Sequence, residues 1–181
     1  LIGFLLGLSI FIEYSMFITV GFLSLYLLTF LRNKKVFWYS LGILIPVAAL
    51  MLYHYAIFDD PFTTPYMHRA TAKAQTIKSF SDVLTINLSS ERAFELTFGL
   101  CRGLFISSPI LIICIFGLFY YLKNRPKKHF FEIMLIILIS LSYFIFNISQ
   151  VNIWEAGCSF GPRFMIPLIP FLIIPLIFSF N

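Results

Sequence analysis

The stretch WEAGCSFGPRFMIPLIP, residues 154–170, separates two long apolar runs, one ending near Ile148 and the other starting at Phe164. It contains one acid, one base, two glycines and three prolines. A polar segment between two apolar runs is typical of a chain that leaves a lipid bilayer and enters it again. We therefore interpret this segment as a turn presented at one face of a membrane.

The composition of the whole chain supports a membrane environment. Of the 181 residues, 60% are hydrophobic, 12% are charged and 23 are phenylalanine. Soluble domains average about 25% charged residues, so a water-soluble globule is a poor explanation. The net charge of +5 does not indicate nucleic-acid binding, because the basic residues lie at the ends of apolar runs and form no single patch. We predict an all-α, polytopic transmembrane protein.

Apolar runs near the ~20 residues needed to cross a bilayer occur repeatedly along the chain. The predicted spans are residues 1–31, 36–58, 103–122, 130–149 and 164–180, about five in all. Pro167, Pro170 and Pro175 are expected to kink or break the last of them. The chain starts inside an apolar run without Met and shows no signal-peptide pattern. We expect residues 1–181 to be part of one transmembrane domain of a longer chain.

The short loops predict the orientation of the spans. Residues 32–35 and 123–129 are rich in Lys and Arg and contain no acid, which places both loops on the cytoplasmic side. Segments 59–102 and 150–163 then face outward. Segment 59–102 is too long for a simple connection, so we expect one or two short juxtamembrane helices within it. Candidates are Tyr66–Phe80 and a helix that Ser89 caps, with Glu91 in its first turn and an apolar side that includes Phe94 and Leu96.

Several polar residues in or near the spans are candidates for a site. Glu13 lies in the middle of the first predicted span, where a carboxylate costs roughly 2.5–3.5 kcal/mol and needs a partner or a wet cavity. It serves either a functional site or a structural hydrogen bond. Asp59 and Asp60 end the second span as a helix stop or as a surface contact for a metal or substrate. His54 has no second ligand at metal spacing, so we interpret it as a packing histidine.

Two arginines flank the predicted outer face. Arg102 opens the third span beside a glycine, and Arg163 opens the last span after a proline. Each either extends its charged end to the interface or clamps a phosphate through its planar guanidinium. Glu155 either is an exposed loop acid or dips toward a cavity. Gly3 and Gly7 form a G-x-x-x-G pattern, which predicts close helix packing.

Together these motifs resemble a known family, the membrane glycosyltransferases of the GT-C superfamily related to protein O-mannosyltransferases and to the lipid A aminoarabinose transferase. The resemblance follows chain order and covers most of the sequence. The matching stretches are Gly3-x-x-x-Gly7 to Tyr14, Phe58-Asp-Asp-Pro61-Phe62 to Tyr66, Arg102-Gly-Leu-Phe105 to Pro109, and Trp154-x-x-Gly157-x-x-x-Gly161-Pro162-Arg163-Phe164 leading into Pro167 and Pro170.

The resemblance implies inverting transfer of a sugar from a polyprenyl-phosphate carrier to a lipid, glycan or protein acceptor, at the outer face of a prokaryotic plasma membrane. In this family the catalytic base is an acid of the first outer loop, which is expected upstream of Leu1. Arg102 and Arg163 would stabilise the phosphate charge that develops during transfer. Asp59, Asp60, Glu155 and Glu13 would bind substrate. No cofactor is implied; whether a divalent metal takes part stays open, since no ligand spacing indicates one.

Two alternatives are non-enzymatic. Broken helices and charges within the membrane also occur in transporters and lipid flippases. An inactive scaffold subunit of a glycan-assembly complex would share the same sequence pattern. Internal pseudo-symmetry favours a transporter, whereas an acid pair in the first outer loop favours the transferase.

Overall fold

The computed structural model describes residues 1–63, 65, 88–100, 103–124, 130–149 and 163–175. Within these ranges the chain forms helices and no strand, which confirms the all-α prediction. The chain divides into two compact units, residues 1–83 and residues 84–181. The predicted helix at Tyr66–Phe80 lies outside the described residues.

Unit 1 contains the helices α1 (Ile2–Ile12), α2 (Met16–Leu28) and α3 (Asn33–Phe58). Helix α1 lies beside α3 and runs in the same direction, because Gly3 contacts Tyr39 and the residues after it contact successively later residues of α3. Helix α2 then runs back toward the start of α3. Its Ser24 hydroxyl is 2.6 Å from the Tyr39 hydroxyl, near the start of α3.

The prediction of one continuous span over residues 1–31 is wrong. The chain breaks at Glu13, which is extended with φ −141° and ψ 116°, and reverses through Tyr14 and Ser15. At 1.5 Å per residue α1 and α2 are about 16 and 20 Å long, so each is shorter than the ~30 Å hydrocarbon layer. The break contains no glycine or proline. Up to this break α1 packs closely on α3, and tertiary contacts of this kind supply most helix stability.

The contact between α1 and α3 depends on small residues. A Cβ atom on Gly7 would lie 2.7 Å from the carbonyl oxygen of Ile43 and 3.1 Å from Cγ of Pro46. A Cβ on Gly42 would lie 2.9 Å from the backbone nitrogen of Phe4, and one on Gly3 would collide with the carbonyl of Tyr39. The two backbones therefore touch without side chains between them, which confirms the predicted role of the G-x-x-x-G pattern.

Unit 2 is built from shorter pieces. Its described elements are α4 (Ser90–Phe98), α5 (Leu104–Ser107), α6 (Ile110–Asn124), α7 (Phe130–Ser149), a 3₁₀ helix (Arg163–Leu168) and α8 (Ile169–Ile173). Helix α4 confirms the predicted helix after Ser89, and the backbone N–H of Arg92 donates to the Ser89 hydroxyl at 3.4 Å. The predicted third span is interrupted between α5 and α6, and the last predicted span starts as a 3₁₀ helix that contains Pro167.

The core of unit 2 forms where α7 packs on the 3₁₀ helix and on α8. Ile136, Ile139 and Tyr143 recur at helical spacing on one side of α7 and are almost fully buried. From the opposite side of the contact, Met165 and Leu168 of the 3₁₀ helix are buried as well. Buried side chains therefore hold the proline-interrupted segment against α7.

Two of the described helices are long and apolar enough to cross a membrane by length and composition, α3 and α7. Their observed bounds agree with the predicted spans 36–58 and 130–149 to within three residues. Only 17% of the most apolar window of α3 and 33% of that of α7 are buried inside the protein. Most residues of each window are therefore exposed or half-buried, whereas a core helix of a soluble protein is mostly covered.

Candidate functional site

The break between α1 and α2 brings polar residues to one end of unit 1. Because α1 runs alongside α3, its C-terminal end reaches the level of His54, close to where α3 stops at Asp59. We call this set of residues the polar end of unit 1: Glu13, Tyr14, His54, Asp59 and Asp60. The set joins two stretches of the sequence, residues 13–14 and residues 54–60, and Tyr14 lies 40 residues before His54. The parallel arrangement of α1 and α3 brings the two stretches together.

Tyr14 and His54 form the direct contact in this set. The Tyr14 hydroxyl is 2.9 Å from Nε2 of His54, and the ring centroids are 5.7 Å apart. The His54 side chain is 4% exposed and is flanked by the rings of Tyr53 and Phe58, with centroids 6.0 and 6.2 Å away. The interpretation of His54 as a packing histidine agrees with this burial. The sequence did not predict its partner, which lies 40 residues earlier.

Asp59 and Asp60 end α3 in a defined geometry. Asp59 has a left-handed conformation, φ 57° and ψ 13°, and its N–H donates to the carbonyl of Tyr55 at 3.0 Å. Aspartate tolerates this conformation better than most residues other than glycine and asparagine. The backbone N–H of Phe62 donates to Oδ1 of Asp60 at 2.9 Å, which fixes the following turn. Both carboxylates are exposed at the end of the helix.

Glu13 does not occupy the middle of a helix, and the prediction that it does is wrong. It follows the last residue of α1, is half-buried, and donates its N–H to the carbonyl of Ser9 at 3.0 Å. The carbonyl of Glu13 accepts the N–H of Met16 at 3.0 Å, which closes the turn into α2. Glu13 therefore belongs to the same end of unit 1 as Asp59 and Asp60, and it joins them as a third acid.

The remaining predicted site residues belong to the other unit. Arg102 and Glu155 lie outside the described residues. The backbone of Arg163 begins the 3₁₀ helix, and its side chain lies outside the described part. The convergence of these three residues on one site stays a prediction.

Three polar residues within the first apolar run could have indicated the polar end of unit 1 from the sequence. Glu13, Tyr14 and Ser15 are three consecutive polar residues inside a long apolar run, and buried polar groups in a bilayer need partners. Such a triplet predicts a helix break as readily as a charge within a continuous helix. His54, in the apolar run of residues 36–58, is the polar group that hydrogen-bonds Tyr14 of this triplet.

The polar end combines hydrogen-bonding groups without a metal site. Within the described ranges, no three His, Cys, Asp or Glu side chains come together in a way that would hold a metal ion. The carboxylates accept hydrogen bonds, and the Tyr14–His54 pair both donates and accepts. Such a set is suited to hydroxyl-rich ligands. Comparison with protein-family models, curated proteins and solved structures finds no match to this chain.

Proposed function

We propose that the chain is a polytopic integral membrane protein with about five apolar segments in the bilayer, the first of them divided into α1 and α2, and with segment 59–102 on the outer side. The exposed apolar surface of the helices supports the membrane location. On α3 the exposed large residues include Trp38, Leu44 and Leu52, and on α6 they include Phe116 and Phe119. Soluble proteins rarely leave such contiguous apolar surface uncovered, whereas lipid covers it at no cost.

The polar side chains within the helices give a second line of support. Ser9 donates to the carbonyl of Leu6 at 2.7 Å, Ser140 to that of Ile136 at 2.7 Å, and Asn147 to that of Tyr143 at 2.8 Å. Each of these side chains donates a hydrogen bond to a carbonyl of its own helix. This is the arrangement that a hydrocarbon environment demands.

We propose further that the protein transfers a sugar from a polyprenyl-phosphate donor to an acceptor at the outer membrane face. The polar end of unit 1 is the observation that carries this proposal. Three acids, a tyrosine and a histidine gather at one end of two helices, and between this end and the basic start of α3 the helices are almost entirely apolar. An apolar helix pair with an acidic end is suited to a substrate whose tail lies in lipid and whose polar headgroup lies at the surface.

Charge decides which part of the substrate the polar end would take. Glu13, Asp59 and Asp60 are acidic and would repel a phosphate, since like charges about 4 Å apart interact by ~4 kcal/mol near a protein surface. Carboxylates accept hydrogen bonds from sugar and acceptor hydroxyls instead. Stabilisation of the leaving phosphate is assigned to Arg102 and Arg163, and Glu155 is assigned to hydroxyl binding. The catalytic base remains without an assigned residue.

A transfer assay tests the proposal. Membranes that contain the complete natural chain are supplied with a radiolabelled polyprenyl-phosphate sugar, and label in the acceptor fraction is measured. Asp59→Asn and Arg163→Lys should each lower transfer by about 10²-fold, because each changes a group to which the proposal assigns substrate binding. Arg32→Lys, at the opposite end of α3, is the matched control and should leave transfer unchanged. Full activity of both site variants would contradict the assignment.

The break between α1 and α2 also favours a non-enzymatic alternative. Discontinuous helices frequently form substrate sites in transporters, so a transporter or lipid flippase would explain the same polar end. The same assay separates the two. A transporter would move the labelled lipid across the membrane without transferring the sugar, and an inactive scaffold would do neither.

A further inference from the structure

Helix α4 has two different apolar sides. The sequence predicted one apolar side, but the structure points its members in opposite directions. Leu96 is almost fully buried, and α4 packs on α5 and α7. Phe94 and Phe98 lie on another side of the helix and are 61% and 53% exposed, and the ring of Phe98 contacts that of Phe105 in α5. The inward side is used by the fold of unit 2, whereas more than half of each phenylalanine on the outward side is left uncovered by the described part of the chain.

Polarity changes along the outward side of α4. Glu91, Phe94 and Phe98 follow a spacing of three and then four residues, so they share one side of the helix. Glu91 is exposed at the N-terminal end, and the two phenylalanine rings, 6.1 Å apart, occupy the C-terminal half. A helix lying flat in the interface would instead carry apolar residues along its whole length. This side is polar at its beginning and aromatic at its end.

The aromatic end of α4 continues into the surface that we assign to lipid. The ring of Phe98 is 5.3 Å from that of Phe105 in α5, and Ile106 and Ile110 beyond it are exposed. Helix α6 then presents further exposed apolar residues along its length. We therefore assign the exposed apolar residues of α4, α5 and α6 to contact with the same environment, lipid.

We propose that α4 enters the headgroup region of the bilayer obliquely, with Phe98 deeper than Phe94 and with Glu91 in water. The inference rests on the membrane assignment and is independent of sugar transfer. The helix contains two acids, Glu91 and Glu95, and one base, Arg92, a net charge of −1. Its contact with lipid is therefore apolar and does not depend on anionic headgroups, unlike that of basic amphipathic helices.

Quenching of tryptophan fluorescence by brominated lipids measures the depth of each position. The chain is first changed by Trp38→Phe and Trp154→Phe, and a single tryptophan is then introduced by Ser90→Trp, Phe94→Trp or Phe98→Trp. Each variant is reconstituted in brominated phosphatidylcholine. We expect the fractional loss of emission to increase in the order 90, 94, 98, with a parallel blue shift. Addition of phosphatidylglycerol should leave this order unchanged.

A fourth variant, Leu44→Trp on the exposed surface of α3, separates failure of this inference from failure of the membrane assignment. Strong quenching at position 44 with equal quenching at 90, 94 and 98 overturns the oblique entry. If position 44 is quenched but positions 94 and 98 are not, α4 does not contact lipid, whether these residues are in water or covered by protein. Absence of quenching at position 44 as well overturns the membrane assignment and this inference with it. Helix content of each variant is checked by circular dichroism.

Discussion

At the level of single residues, the hydrogen bond between Tyr14 and His54 joins the turn after α1 to the side of α3. It lies where His54 is nearly inaccessible, so the imidazole has little access to water as a replacement partner. Nε2 of His54 accepts from the Tyr14 hydroxyl in one imidazole tautomer and donates to it in the other. The pair therefore fixes the position of the acids beside it.

Replacement of Tyr14 by Phe should destabilise the fold. The change removes one hydroxyl and leaves the buried Nε2 of His54 without that partner, and hydrogen bonds between membrane helices are worth about 0.6–2 kcal/mol. The free energy of unfolding in detergent measures the loss. Tyr55→Phe on the exposed side of α3 is the control and should change stability by less than about 0.5 kcal/mol. Equal stability of the two variants would refute the role of the pair.

Asp59 has two separable roles, as the residue that ends α3 and as a carboxylate. Asp59→Asn should keep stability, because asparagine also tolerates the left-handed conformation, while Asp59→Ala should cost about 1–2 kcal/mol. Thermal unfolding of the purified variants measures this difference. If Asp59→Asn unfolds as readily as Asp59→Ala, a loss of transfer in the Asn variant reports on folding and not on the carboxylate.

At the level of elements, helices whose ends are marked by local sequence were predictable, whereas features that depend on contacts with a distant helix were not. The bounds of α3 and α7 were predictable, because each is one long apolar run ended by charged or polar residues. The polar triplet at residues 13–15 is compatible with a break of the first run and with a continuous helix, and the sequence did not show that Gly3 and Gly7 contact a helix more than 30 residues away. The G-x-x-x-G pattern predicts close packing, but it does not name the partner or the direction.

The contact between α1 and α3 predicts opposite effects for two glycine-to-alanine changes. Gly7→Ala should lower stability by about 1–3 kcal/mol, because its Cβ meets the backbone of Ile43 and the helices must move apart. Gly21→Ala in α2 meets nothing within 4 Å and should be neutral or stabilising by up to ~1 kcal/mol. Unfolding by denaturant in detergent compares the two. Similar effects of both changes would show that α1 and α3 do not touch here.

At the level of the whole molecule, the sequence predicted part of the candidate site. Asp59 and Asp60 were chosen for their position after a span, and the structure places them with Glu13 at one end of unit 1. The Tyr14–His54 pair was missed, because no periodic pattern links residues on separate helices. The charged loop at residues 32–35 marks the opposite end of α3, so a single helix separates the basic loop from the acidic end.

Both proposals rest on α3 crossing the membrane with Asp60 outside and Lys34 inside. Labelling of single cysteines tests this arrangement directly. In a chain with Cys101, Cys114 and Cys158 replaced by Ala, the variants Lys34→Cys and Asp60→Cys are exposed to a membrane-impermeant maleimide in intact cells. We predict that Asp60→Cys is labelled at once and Lys34→Cys only after the membrane is permeabilised. Labelling of both cysteines in intact cells, or of position 34 alone, would contradict the account.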